Sequence, residues 1–522
     1  MKITACGALL LGTALLAGTN TAVRADSPKD VVEEIWEAAH IEGAKVGSLH
    51  TIVRKVETDG EKRLRTSAEL DLTFKRYNTL LRLRREVGTE ETAEGKVTSV
   101  FMRQGQEGGR QLVLSGVVED GRLHVRIDNG RIERRLRWSN EAVSLYRLEH
   151  LFQKREPKAG DRFSLLRYDP TYNNVLTVHV TVKEREEVSA ASGKGSAKWL
   201  RVEMTADALE APGVKVQPPP EVWWLDERFV PVRRQFELDG LGTVVLTRTT
   251  REVATAAAAP GRMADIGRKT LISLDRTIAN PYTSRSVVYR ITLRGDGDPE
   301  SALSRDAHQE IRNLQENTFE LHVHPRRHRP LTPNPSPPKR GRGVGGEGEK
   351  MSEYLQSCHF INCDDTHVKE LARRAAGEEK DPWAKARRLE RWVKQNMRPD
   401  NSVPLGPAGE VARQLRGDCR QYALLTAALC RAEGIPARTA VGLLYVEKSR
   451  RPFMGFHMWT EVWIDGQWLG LDGTLGLGGV SAAHLKIADH SWHDTSSLTP
   501  LLPVNRILGR ISITVLRTEA RE

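Results

Sequence analysis

Between Leu49 and about Val253 apolar and polar residues alternate with a period of two, and that alternation constrains the fold of this chain more than any other feature. Leu70, Leu72 and Phe74 are each separated by polar residues, as are Leu123, Val125 and Ile127, and then Leu176, Val178, Val180 and Val182. Side chains two apart share one face of a strand, so such runs predict half-buried antiparallel strands. Asn129-Gly130 and Asp239-Gly240 supply hairpin turns between them, and Ser189 to Ala197 has the small, polar composition of a longer hairpin loop. Ahead of the strands, Pro28 to Gly43 has helical spacing, with Val31, Val32, Ile35, Trp36 and Ala39 on one side, which predicts an opening helix packed on the sheet. Residues 26–253 therefore read as one antiparallel β domain of unknown role. It holds no cluster of titratable residues at catalytic spacing, and Arg82, Arg84 and Arg85 read as a solvent face. An apolar-lined sheet that takes a lipid or a peptide is the less favoured reading.

Residues 1–25 read as a secretory signal. Lys2 supplies the positive start, Ala8 to Gly18 the apolar run, and Val23-Arg24-Ala25 a small-residue cleavage site. The run is shorter than the roughly 20 apolar residues that cross a bilayer, and no later stretch is that long and uncharged. Thr19 rather than a cysteine follows the run, which argues against a lipid-modified start. The expected destination is a periplasm or the exterior, with no membrane span. The net charge of +11 becomes +9 when Lys2 and Arg24 leave. That excess is spread over the chain with no motif that reads nucleic acid, so a solvated basic surface is favoured over a specific nucleic-acid partner.

The rest of the 522-residue chain divides further. Residues 254–267 read as a linker, and residues 268–328 as strands leading into the next unit: Thr270 to Leu274, Ser286 to Leu293 and Thr318 to Val323. His322 and His324 alternate on the last of these with His328 nearby, and surface histidines are favoured there over a metal site. Residues 329–350 are dominated by proline, glycine and basic residues, have almost nothing apolar to bury, and are expected to be disordered. Helical spacing returns with Val368, Leu371, Ala372 and Ala375, then with Ala386, Leu389, Trp392 and Val393 after Asp381-Pro382. Cys358 and Cys363 precede these helices. A local disulfide suits an oxidising compartment, and a zinc site with His359 and His367 is the weaker alternative.

The chemistry concentrates on Gly417-Asp418-Cys419 and the helical run that follows to Glu433, stopped by Gly434 and Pro436. A cysteine at the first turn of a helix faces unpaired amides and the positive end of the helix dipole, both of which favour thiolate. Cys430 lies on the same helix 11 positions on. That is about 16 Å at 1.5 Å per residue, beyond the roughly 7 Å between Cα atoms that a disulfide tolerates. Cys430 reads as core, and Cys419 as a free thiol.

Phe456 to Asp472 reads as a hairpin around Asp465-Gly466. A two-residue turn pairs Ile464 with Gln467 and places Trp459 opposite Asp472, so His457 and Asp472 share a face as diagonal neighbours. Met458, Val462, Ile464, Leu469 and Leu471 make the opposite, core face. His457 and Asp472 then face a cleft with Trp459, Trp463 and Trp468. Thiol, imidazole and carboxylate in this order suit a nucleophile, base and orienter: Cys419, His457 and Asp472. The Cys419 amide is a natural oxyanion donor.

These residues carry a resemblance. Gly417-Asp418-Cys419, the run Ala427 to Arg438, His457-Met458-Trp459-Thr460-Glu461-Val462-Trp463 and Trp468-Leu469-Gly470-Leu471-Asp472-Gly473-Thr474 together resemble the bacterial transglutaminase-like superfamily. The likeness covers about Ser352 to Leu485; Gly473 departs from the proline or other small residue often found before the threonine. It implies an α+β chain, a C-terminal papain-like transglutaminase core in residues 351–487 preceded by the large antiparallel β domain, with residues 488–522 as an extension. It also implies cofactor-independent thiol chemistry on amide bonds by Cys419, His457 and Asp472, with Trp459, Asp418 and Trp463 at the substrate cleft. The expected function is an exported peptidase or amidohydrolase that forms a thioester acyl-enzyme on a protein or peptide substrate, with no metal and no cofactor. Two alternatives stand beside it: a transglutaminase that cross-links envelope proteins, and a non-catalytic envelope-binding protein that displays the groove of this fold.

Overall fold

The computed structural model describes residues 30–257, 271–326 and 351–519, apart from a few short stretches within those ranges. The expected signal segment, the insertion at 329–350, most of the expected linker and both predicted Asn-Gly and Asp-Gly turns lie outside the described residues.

The alternating region forms a 14-stranded antiparallel sheet. Strands run as a meander from Val31–Ile41 out to Ile132–Arg137, and a second set returns from Arg162–Asp169 to Gly242–Thr249. The two sets join where Val31–Ile41 pairs with Gly242–Thr249, Trp36 opposite Thr249 and Ile41 opposite Val244. Strands on either side of the two turn motifs do pair, Ile127 with Ile132 and Leu238 with Gly242. Ser189 pairs with Ser196 across the expected long loop.

The opening segment corrects the expectation of a helix, because Val31–Ile41 is a strand. Its Val, Ile and Trp content favours an extended backbone, and both of its edges find a ladder to pair with. Spacing of five apolar residues within so short a run does not separate the two states. A helix does occur elsewhere in this region, at Leu145–Arg155, capped by the Ser144 hydroxyl, which accepts the Arg147 N–H. It buries Leu148 and Phe152 against Leu165, Leu176, Val178 and Trp223. Glu149 of this helix ion-pairs with Arg234 and Arg248, and Arg234 also grips Glu37, so buried charge ties the helix to the joining strands. On the outer face Arg82 and Arg84 pair with Asp71 as solvent-exposed cross-strand partners, whereas Arg85 turns to the Thr171 hydroxyl and is half buried.

The cysteine-bearing unit includes, among the described residues, helices α1 (Thr366–Ala376), α2 (Pro382–Asn396), α3 (Ala408–Gln414) and α4 (Cys419–Ala432). Four strands follow, β1 (Ala437–Lys448), β2 (Arg451–Ile464), β3 (Gln467–Leu471) and β4 (His484–His490). Asp365 and Asp381 cap α1 and α2 as acceptors of first-turn amides, and Pro382 occupies the first turn of α2. In the sheet β2 and β4 flank β1, and β3 pairs with β2. Leu425, Ala428 and Leu429 of α4 pack with Met458, Val462, Leu469 and Leu471 in one apolar core. The Thr460 hydroxyl donates to the Ala423 carbonyl at 2.9 Å and pins β2 to α4.

A second antiparallel sheet runs Gln309–Gln315, Thr318–Val323, Ser286–Leu293, Ile511–Glu519. Its Tyr289, Ile291, Leu321 and Val515 share a core with Leu443, Tyr445 and Leu485 of β1 and β4. The strands before the cysteine unit and the strand near the chain's end thus pack on the same sheet that carries His457. His324 is exposed as expected, but His322 is not a surface group: it is buried, with Nε2 3.3 Å from the Glu320 carboxylate. Cys358 and Cys363 are free thiols rather than a disulfide, and burial raises both of their pKa values. Among the described residues they also form no metal-binding group with His359 and His367.

Candidate active site

Cys419 sits at the start of α4 because the three residues around it are each constrained. At Gly417, φ is +155° and an added Cβ would lie 2.5 Å from Gln421 Cβ, so only glycine fits. Asp418 is the N-cap: its carboxylate accepts the Arg420 N–H at 3.0 Å, and Gln421 Oε1 accepts the Asp418 N–H at 3.0 Å to complete a capping box. Gln421 Nε2 donates to the Val403 carbonyl at 3.1 Å, and the Arg420 guanidinium holds Asp418 at 2.7 Å. These bonds anchor the helix start, and Cys419 remains part-exposed at its end while Cys430 is fully buried, its thiol pushed far up by burial.

The hairpin keeps the expected register, Ile464 opposite Gln467 and Thr460 opposite Leu471, with Asp465 at φ 50° and Gly466 at φ 74° in the turn. Asp472 lies one step beyond the ladder. His457 Nε2 donates to Asp472 Oδ2 at 2.8 Å, and both side chains are buried. Burial alone would pull the His457 pKa down, but the Asp472 charge and hydrogen bond, with a further contribution from Cys419, raise it to about 10. Asp472 pays for burial in the opposite direction and is still held well below the carboxylate range by the two imidazoles beside it. With Nε2 committed to Asp472, Nδ1 is the ring nitrogen left for the thiol.

Two residues complete the Asp472 environment that sequence reasoning missed. His484, on β4, places Nε2 3.2 Å from the same Oδ2. Glu390, on α2, accepts the Asp472 backbone N–H at 3.0 Å, and burial pushes its pKa up to about 8. Glu390 carried a signal, a charged residue beside the apolar stripe of Ala386, Leu389 and Val393. His484 carried none, since the strand it pairs with begins nearly fifty residues earlier.

The three residues assigned to the cleft occupy different places. Trp459 is 1% exposed, stacked beside His457 with centroids 6.4 Å apart and edge-on to His484 at 5.4 Å, so it walls the His457–Asp472 pair from water rather than lining an open groove. Gly442 leaves room for it: a Cβ there would lie 2.8 Å from the Trp459 ring. Asp418 is spent on capping. Trp463 packs against Trp468 at 5.4 Å. Beside this site Lys486 is buried and bonded to Glu461, Asp306 and Asp489, while Arg438 pairs with Glu461 and Asp489.

His457, Asp472 and His484 present three ligand atoms within 4.8 Å, the donor set of an open zinc site. Their convergence is accounted for by Asp472 Oδ2 standing between two imidazoles as a hydrogen-bond acceptor.

Residues 369–473 match the family model described as the transglutaminase-like superfamily. An uncharacterized protein of Haemophilus influenzae is 36% identical over 98 residues, which cover 18% of this chain and 26% of that protein; the chain thus spans about a quarter of that relative's length. Solved structures similar to this chain include a cysteine-protease candidate from Cytophaga hutchinsonii, at 17% identity and a TM-score of 0.28, covering 45% of this chain and 87% of that one. The periplasmic domain of TgpA from Pseudomonas aeruginosa follows at 16% identity and a TM-score of 0.23, covering 37% and 91%.

Proposed function

We propose that this chain, whose residues 369–473 carry a transglutaminase-like core, is an exported cysteine-dependent amide-bond enzyme, a peptidase or amidohydrolase acting on protein or peptide. The observation that carries the reading is the buried His457–Asp472 bond at 2.8 Å, with Cys419 acting on the same imidazole from the end of α4. In this reading Cys419 gives its proton to His457 and attacks the amide carbonyl carbon as thiolate. The Cys419 N–H, in the helical turn that has no intrahelical acceptor, donates to the oxyanion. The His457 imidazolium then protonates the leaving amine, and the thioester remains. Neutral His457 takes a proton from water, which attacks the thioester and frees the acid. Asp472 keeps the ring oriented throughout. An amine in place of water would make the same site a transglutaminase.

Export is supported by the sequence features of residues 1–25, and among the described residues no helix is long and apolar enough to cross a membrane. The mature protein and its Cys419→Ala variant, each incubated with bacterial envelope extract, are compared by mass spectrometry. New peptide termini that require Cys419 support hydrolysis, and new amide cross-links that require it support acyl transfer. Identical products from the two proteins would remove the enzyme reading.

A further inference from the structure

Asp472 is clamped on both carboxylate oxygens. Oδ1 accepts the Thr474 N–H at 2.8 Å and the Leu475 N–H at 3.4 Å, while Oδ2 faces His457 at 2.8 Å and His484 at 3.2 Å. The His484 tautomer follows from its other nitrogen. Nδ1 lies 3.1 Å from the Ser481 backbone nitrogen, and a backbone N–H only donates, so Nδ1 holds a lone pair and the proton is on Nε2. The Ser481 hydroxyl lies 3.2 Å from the same Nδ1 and accepts the Ala483 N–H at 3.2 Å, which locks the turn that presents the ring.

We infer that His484 is a positioning residue for the triad, a neutral imidazole that donates from Nε2 to Asp472 Oδ2 and thereby fixes the oxygen that orients His457. The inference rests on the reading of Cys419, His457 and Asp472 as a catalytic triad. His484 is 1% exposed and covered by the edge of Trp459, so it does not reach substrate; it acts through Asp472 alone. Further ionisable groups lie near this cluster, among them Tyr282, whose pKa is raised by burial and also by the charges of Tyr445 and Asp472. Glu390 engages the Asp472 backbone from α2, and His308 Nε2 lies 3.1 Å from the His484 carbonyl, away from the carboxylate. Burial lowers the pKa of His484, in keeping with a neutral ring. Donation runs from the Ser481 N–H to His484 and from His484 to Asp472 Oδ2, which also accepts from His457, so one oxygen is the shared acceptor of both imidazoles, an arrangement that a histidine merely filling space has no reason to show.

The test is the pH profile of Cys419 alkylation by iodoacetamide, from pH 4 to 10, on the full-length mature protein, with thermal unfolding followed in parallel. His484→Leu keeps the volume and loses the donor, whereas His484→Gln keeps a donor near the Nε2 position. The expected result is a loss of about tenfold in alkylation rate at pH 6 for His484→Leu, in the range that orienting partners command, with most of it recovered in His484→Gln. If His484→Leu does not fold, His484→Asn, polar but too short to reach Asp472, is read in its place. A variant profile superimposed on that of the unmodified protein, with only a lower melting temperature, would reduce His484 to a packing group and overturn the inference. A protein that labels at pH 6 no faster than a free thiol, and is indifferent to Asp472→Asn, would bring down the triad reading and this inference together.

Discussion

The Glu390 carboxylate accepts the backbone N–H of Asp472 at 3.0 Å across 82 positions of sequence, so helix α2 fixes the residue that fixes His457. Among the described residues Glu390 Oε2 makes no close hydrogen bond, though the Gly478 and Gly479 N–H groups act on the same carboxylate. Its pKa of about 8 makes it a neutral acid at pH 7, lying against an ionised one.

Stability should report that protonation. The Glu390 pKa is raised on folding from 4.5 to about 8, so its contribution is fully present below about pH 4.5 and is lost as pH rises through 8. Glu390→Gln keeps an acceptor for Asp472 and cannot ionise. The melting temperature of the variant relative to the native protein should rise between pH 5 and pH 9. A constant difference over that range would show that Glu390 does not titrate there.

Asp472→Asn should move the His457 titration well below about 10, because burial is then opposed by Cys419 without the Asp472 charge. In the native protein the raised pKa of His457 contributes stability that is full below about pH 6.5 and is lost as pH climbs through 10, while the lowered pKa of Asp472 contributes stability that is lost as pH falls below about 3.8. Amide hydrolysis by the variant should fall on the order of 10³- to 10⁴-fold, as when a triad carboxylate is neutralised. Steady-state rates and an NMR titration of the imidazole check the two halves separately. An unshifted imidazole would contradict the assignment of Asp472 as its partner.

Lys486→Met tests the buried charge beside the hairpin. The ammonium meets Glu461 at 2.9 Å, Asp306 at 3.0 Å and Asp489 at 2.8 Å, and its removal leaves Arg438 to compensate Glu461 and Asp489. Breaking a buried pair from one side costs about 3–5 kcal/mol, and denaturant unfolding at pH 7 should show a loss of that size. A loss under about 1 kcal/mol, typical of surface pairs, would mean that water reaches the network.

Local pattern carried much of this architecture. Period-two runs mark the strands of the large sheet, and Asp465-Gly466 sets the hairpin register that brings His457 to Asp472. Pro382 and Cys419, read from the sequence as first-turn residues, likewise stand at helix starts. What escaped was decided by distant pairing. Val31–Ile41 is extended because it finds Gly242–Thr249, about two hundred residues on. His484 reaches Asp472 only because β4 lies against β1, a register that nothing in the run around His484 encodes. Trp459 was placed on the correct face, but alternation does not tell a wall from an opening, and the wall depends on the space that Gly442 leaves.

The pairing of Ile511–Glu519 with Ser286–Leu293 sets an order of events for the chain as it is made. Synthesis runs from the amino end, so the thiol, the imidazole and the carboxylate all emerge before the strand that completes the sheet packed behind β1 and β4. A growing chain therefore carries all three groups while part of their support is still unmade. Full burial of Leu443 and Leu485 arrives late, and a chain cut short before Ile511 reaches the solvent with that apolar face uncovered, which marks it for aggregation or proteolysis before it reaches a substrate.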